Sequence, residues 1–139
     1  LMLQKEVAQR ICAKPPEMSL LAVSVQFYAE AKIISYVSKN CFWPSPKVDS
    51  AIIKITPFQA DRHPMSIHLD RHRVSPDLFF KIVKAGFSQP RKQLGNNLSK
   101  ILKIERKKTE EWLLKNNIQP TQRAETLSIN NWKNLTNSV

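Results

Sequence analysis

The residues of this chain best suited to holding a planar ligand are Phe42 and Trp43. They stand directly before a Pro-x-Pro pair in Phe42-Trp43-Pro44-Ser45-Pro46-Lys47-Val48-Asp49-Ser50. Each proline fixes its own φ, removes a backbone donor and pushes the residue before it towards extended geometry. The loop is therefore stiff and largely unable to join a sheet ladder, and an aromatic face mounted on it has little entropy left to lose on binding. Read for structure alone, the same stretch is a rigid connection between strands whose aromatics cover a core. A second set of candidates is cationic: Arg91, Lys92 and Lys100, then Lys103, Arg106, Lys107 and Lys108, are the densest positives in the chain. Charge runs usually form a solvated helix face, but an unbalanced run between two helices of a basic domain also suits a phosphate-contact surface.

Other chemistry is missing. There is no Gly-x-Ser-x-Gly, no Cys/His dyad at readable spacing and no carboxylate cluster. The two glycines, Gly86 and Gly95, do not lie between a strand and a helix, so a glycine-rich phosphate or dinucleotide turn is absent. Cys12 and Cys41 are too few and too far apart for a disulfide framework or a zinc site, and fit a reducing cytoplasm. His68, Asp70 and His72 share a polar stretch with no further ligands and read as solvated linker, with no metal expected.

The elements that must position these residues can be read from hydrophobic period. Leu1–Leu3 reads as the end of a buried strand, and Val7, Ala8 and Ile11 mark one face of a helix that Lys14-Pro15-Pro16 stops. A second helix is expected from about Ser19 to Ala29, apolar nearly all round and therefore packed inside an α/β layer. Ala31–Ser38 and Ala51–Thr56 read as strands, with Pro57 ending the second. The loop between them is too short for a parallel return, so the pair should be antiparallel. Residues 58–74 form a composition break, with a short edge strand at Met65–Leu69. From Ser75 the period is helical: Ser75 as N-cap, Pro76 at the first position and Leu78, Phe79, Ile82 and Val83 inside. Further helices are expected over Arg91–Leu102, from a Thr109 cap through Lys115, and from a Ser128 cap with Ile129, Trp132 and Leu135 inside.

Composition bounds the partners. The chain has 139 residues, 42% of them hydrophobic, with 22 Lys/Arg against 11 Asp/Glu and a net charge of +11. Residues 1–60 hold seven basic and four acidic side chains and residues 61–139 hold fifteen and seven, so the helical half carries most of the field. Nucleic acid is the commonest polyanionic partner for such a domain. No apolar run approaches the ~20 residues that span a bilayer, and no membrane partner is expected. Leu1 is not methionine and no signal peptide precedes the first strand, so the chain reads as beginning inside a longer protein.

Four blocks then occur in order. They are Met2-Leu3-Gln4-Lys5-Glu6-Val7-Ala8-x-Arg10, Phe42-x-Pro44-x-Pro46-Lys47-Val48-Asp49-Ser50-Ala51, Phe87-x-Gln89-x-Arg91-Lys92-x-Leu94-x-Asn96-Asn97-Leu98 and Arg123-Ala124-Glu125-x-Leu127-Ser128. Together they resemble the C-terminal portion of the KsgA-type rRNA adenine dimethyltransferases, relatives of the Erm resistance methylases. The resemblance implies an α/β fold, with the C-terminal part of a Rossmann-like methyltransferase sheet over 1–57, a linker over 58–74 and a small all-α domain over 75–139. It implies S-adenosylmethionine-dependent dimethylation of N6 of two adjacent adenosines in small-subunit (16S) rRNA, with the helical domain docking on the small ribosomal subunit in the cytoplasm.

The family's glycine-rich cofactor loop and Asn-Leu-Pro-Tyr motif lie upstream of the first block and are not in this sequence. The S-adenosylmethionine site and the catalytic acceptors are thus expected outside the chain, which should be inactive alone. Phe42 matches the phenylalanine that the family places against the target adenine, with Pro44 and Pro46 as its mount, and Trp43 is assigned to packing. Lys5, Arg10 and Lys47 join Arg91, Lys92, Lys100, Lys103, Arg106, Lys107 and Lys108 as RNA-contact candidates. Pro90 departs from the family, which commonly has a basic residue there. A non-enzymatic RNA-binding or ribosome-assembly module is the alternative, because a shared fold does not guarantee catalysis.

Overall fold

A computed structural model of the chain describes residues 1–58 and 74–139. The edge strand expected at Met65–Leu69 and the residues His68, Asp70 and His72 lie outside the described residues. The chain divides into two compact units, one built from Leu1–Ala13 and the stretch from Leu21 through the last strand, the other from Lys14–Leu20 and the helices after Val74.

The first unit is a three-stranded antiparallel sheet with two helices. Its elements are β1 (Met2–Gln4), α1 (Lys5–Ile11), α2 (Leu20–Tyr28), β2 (Ala29–Val37) and β3 (Ser50–Pro57). The strand order is β1-β3-β2, so β3 is central and the other two are edges. The antiparallel pairing expected of the last two strands is present: Ala29 to Val37 run against Pro57 to Ser50. A register shift between Ile33 and Ser35 leaves Ile34 as an extra residue, and its side chain is 61% exposed. Ala8, Ile11, Ala51 and Ile53 form the core, with Leu3, Val7, Leu21 and Val25 packed against it.

One expectation needs correction here. Leu1–Leu3 contributes a strand, but not a buried one: β1 pairs on one side only, and Leu1 and Met2 are exposed. Helix α2 is covered along its middle, where no residue from Leu21 to Phe27 is exposed and Ala22 and Val23 are buried, and it meets solvent only at its ends, where Leu20 and Tyr28 are exposed. Gln26 Nε2 donates to the carbonyls of Ile11 and Ala13 at 3.0 and 2.8 Å, which ties α2 to the end of α1 and uses carbonyls that a helix C-terminus leaves open.

The second unit packs α3 (Pro76–Gly86), α4 (Leu94–Leu102), α5 (Arg106–Lys115) and α6 (Ile129–Asn137) around Phe79, Ile82, Leu94, Leu98, Leu113, Trp132 and Leu135, all at most 1% exposed. The segment Lys14–Leu20 belongs to it: Met18 is buried and its N–H donates to the Glu125 carbonyl at 3.0 Å.

Helix α3 starts at Pro76 behind Ser75, as expected, whereas α4 and α5 start later and earlier than expected. Ser75 occupies the cap position of α3 without a side-chain capping bond. Helix α4 begins at Leu94, after an extended Gln93, so Arg91 and Lys92 lie on the preceding turn. Helix α5 begins at Arg106, and Thr109 is no cap: it is buried within the helix, its hydroxyl donating back to the Glu105 carbonyl at 3.2 Å. Ser128 does cap α6, accepting from the Asn131 N–H. Helix α5 ends on Asn117 at φ 57, with Asn117 N–H to Leu114 O at 2.9 Å and Ile118 N–H to Leu113 O at 3.0 Å. This paired closure satisfies two terminal carbonyls and seats Ile118 on Leu113.

Candidate nucleic-acid interface

The connection from β2 to β3 holds the aromatic pair. A single 3-10 turn (Lys39–Cys41) follows β2, with the Ser38 hydroxyl accepting from Asn40 N–H at 3.3 Å. Asp49 closes the far end. Its carboxylate accepts from Lys39 N–H at 3.1 Å and its carbonyl from Lys5 N–H at 3.0 Å. Lys5 Nζ also stands 4.0 Å from Asp49 Oδ2, a half-exposed pair whose contribution is small. Ser45 Oγ donates to the Lys39 carbonyl at 3.0 Å, pulling the proline segment onto the turn. The loop is therefore fixed by side chains from its own motif as well as by Pro44 and Pro46. Sequence reasoning missed Asp49 and Ser45, although both stand inside the quoted block.

Phe42 lies at the exit of the 3-10 turn with extended backbone, φ −119 and ψ 149, and is half-buried. Trp43 corrects the sequence assignment. It is 98% exposed, so it packs on nothing.

Beside the loop lies an open cleft of about 330 Å³ lined by Lys5, Glu6, Gln9, Lys39, Lys47, Val48 and Asp49. Two sequence candidates, Lys5 and Lys47, meet there, joined by Lys39, which the sequence reading did not single out. Lys5 Nζ is also 5.4 Å from the centroid of the Tyr36 ring. Arg10 is exposed in the last turn of α1 and does not line the cleft.

The helical unit presents the other candidates in two groups. Arg91 and Lys92 are exposed on the α3–α4 turn. That turn is held from beneath by buried Asn97, whose Nδ2 donates to Gly86 O at 2.7 Å and Gln89 O at 2.9 Å. Gly86 is required for the same packing, because a methyl group there would run into the Trp132 ring. The first two N–H groups of α4 donate to the carbonyls of Gln122 and Pro120 at 2.7 and 3.1 Å.

Lys100, Lys103, Arg106, Lys107 and Lys108 follow along α4 and into α5, and all five are exposed. Lys103 adopts left-handed backbone at φ 56 as the C-cap of α4. The last three do not form a run between helices but the first turn of α5, which has no acidic residue. A helix N-terminus disfavours cations there. Arg106 is offset by Glu110 at 2.8 Å and Lys108 faces Glu105 at 4.0 Å, whereas Lys107 has no ion pair among the described residues.

The described residues include two free cysteines, Cys12 and Cys41. Cys12 is half-buried, and burial pushes its thiol above the usual range, away from nucleophilic use. No group of three or more His, Cys, Asp or Glu could hold a metal among them, and no described helix is long and apolar enough to cross a membrane. Neither glycine opens a strand–turn–helix of the kind that cradles a nucleotide cofactor: both are built into helices, Gly86 against Trp132 and Gly95 against Pro120.

The sequence model of a family described as "Ribosomal RNA adenine dimethylase" matches residues 1–139. The chain is 40% identical over 134 residues to the ribosomal RNA small subunit methyltransferase A of Dehalococcoides mccartyi, a match covering 96% of this chain and 43% of that protein. It is 42% identical over 142 residues to the protein of that name from Clostridium botulinum, covering 100% of this chain and 48% of the other. The chain thus spans less than half the length of these relatives. Among solved structures it resembles a dimethyladenosine transferase from Plasmodium falciparum, with a TM-score of 0.69 at 22% identity, covering 97% of this chain and 54% of that one. The 23S rRNA methyltransferase ErmE gives a TM-score of 0.67 at 19% identity, covering 99% of this chain and 52% of that one. At such identities the structural likeness speaks to fold alone.

Proposed function

The chain belongs to the ribosomal RNA adenine dimethylase family, and from that membership we propose that it is the C-terminal part of an enzyme that dimethylates N6 of two adjacent adenosines in small-subunit rRNA. S-adenosylmethionine would be the methyl donor, held with the Asn-Leu-Pro-Tyr motif by an upstream part of the protein. Residues 1–57 complete the methyltransferase sheet, 58–74 link, and 75–139 dock on the small ribosomal subunit in the cytoplasm. No step of methyl transfer is assigned to residues of this chain beyond holding the substrate.

The observation that carries the reading is the Asp49-closed proline loop with Phe42 at its start. An adenine amine cannot be reached inside a stack, so the base must be turned out and held. Stacking on an aromatic ring contributes ~1–3 kcal/mol per base, enough to offset much of the unstacking cost. A mount fixed by Pro44, Pro46, Ser45 and Asp49 supplies such a ring without ordering cost. Arg91, Lys92 and the cations around the start of α5 supply phosphate contacts on the docking side. The lack of a cofactor turn supports a second reading for the chain by itself, as a non-enzymatic RNA-binding or ribosome-assembly module.

Calorimetry tests this division. The 139-residue chain should bind an rRNA hairpin with steep salt dependence and show no stoichiometric binding of S-adenosylmethionine. Tight one-to-one cofactor binding would contradict it.

A further inference from the structure

Trp43 is 98% exposed, although tryptophan is highly buried on average in folded proteins. The backbone beneath it is held on both sides, by Phe42 N–H to Lys39 O at 3.3 Å and by Ser45 Oγ to the same carbonyl at 3.0 Å. The indole is therefore presented rather than loosely tethered. The two rings stand in different surroundings, Phe42 half-buried and Trp43 almost wholly in solvent. Lys39 and Lys47 bracket Trp43 in sequence, and both are exposed and line the open cleft. The carboxylate nearest in sequence, Asp49, is engaged by Lys39 N–H and by Lys5.

We propose that Trp43 is a second nucleobase platform. It stacks on a base of the same single strand that neighbours the one resting on Phe42, while Lys39 and Lys47 take the flanking phosphates. This rests on the reading of the chain as handling single-stranded RNA, and adds to it a second base site. The chemistry selects a nucleic acid over an apolar partner. The exposed segment after the indole mixes Pro44, Pro46 and Val48 with Ser45 and Lys47, and Lys39 stands four residues before it, so the ring sits among cations as well as apolar groups. A strand of stacked bases and phosphates matches an isolated aromatic face among lysines. Once the target base is turned out, its neighbour loses a stacking partner on one side, and the indole replaces it.

Tryptophan emission reads this directly, because Trp132 is buried and Trp112 half-buried, which leaves Trp43 as the accessible fluorophore. The 139-residue chain is titrated with a single-stranded oligoadenylate, alongside W43F, W43A and F42A, and with an abasic strand of equal length. Oligoadenylate should quench the wild-type emission, and the abasic strand should bind without quenching. W43A should bind about tenfold more weakly, the size of one stack, with an unchanged salt slope. W43F should keep most of the affinity and lose the quench. Removing Lys39 or Lys47 should instead flatten the slope by roughly 0.7 each. Equal affinity in wild type and W43A would overturn the second platform. If F42A weakens binding in that case, RNA handling by the loop stands without it. If the wild-type chain binds no oligoadenylate, both readings fall.

Discussion

At the scale of single residues, the family blocks mix side chains proposed to contact RNA with side chains that hold the backbone. Asn97 is of the second kind. It is 4% exposed and spends both amide hydrogens on carbonyls of the turn that carries Arg91 and Lys92. Asn97→Ala leaves those two carbonyls without their donor, and should cost about 2–3 kcal/mol in a denaturant melt. The loss should appear in stability before it appears in the salt slope of RNA binding. The identity of Asn97 was plain in the sequence, but its role was not, because its partners are defined only once the turn has closed. Asp49 was opaque for the same reason: its bond to Lys39 N–H spans ten residues of loop. Trp43 was misread because an aromatic beside a strand usually packs, whereas here it stands 98% exposed.

At the scale of elements, periodicity was legible wherever packing and sequence agreed. Helix α1, the antiparallel pair β2 and β3, and α6 with its Ser128 cap follow the apolar pattern closely. The errors lie at helix starts. Thr109 has the chemistry of a cap, yet the helix had already begun at Arg106. That shift moves three cations onto the positive end of a helix, where Arg106 is offset by Glu110 and Lys108 by Glu105, and Lys107 has no ion pair among the described residues. Lys107→Gln should therefore leave thermal stability unchanged within about 0.5 kcal/mol, as for most surface substitutions. It should also reduce the log–log salt slope of RNA binding by roughly 0.7–0.9. An unchanged slope would mean that this end of α5 faces solvent only.

At the scale of the whole molecule, the fold class and the family were legible: four blocks spread over the chain resemble the family whose model matches residues 1–139, and a net charge of +11 suits a polyanionic partner. The exposure of β1 and of the two ends of α2 was not legible, because apolar sequence reports what could be buried and not what covers it. Ile34 and Tyr36 on β2 stay more than half exposed. In the proposed complete enzyme the central claim is that Phe42 holds the target base while chemistry happens elsewhere. The direct test joins this chain to an upstream half bearing the glycine-rich loop and Asn-Leu-Pro-Tyr, and compares Phe42→Ala and Phe42→Tyr in single-turnover methylation and in RNA binding. Phe42→Ala should slow methyl transfer by about tenfold or more, the size of one lost base stack. RNA affinity should change much less, and Phe42→Tyr should restore most of the rate. Equal losses of rate and of folded protein in Phe42→Ala, with no recovery in Phe42→Tyr, would make Phe42 a core residue and contradict the account.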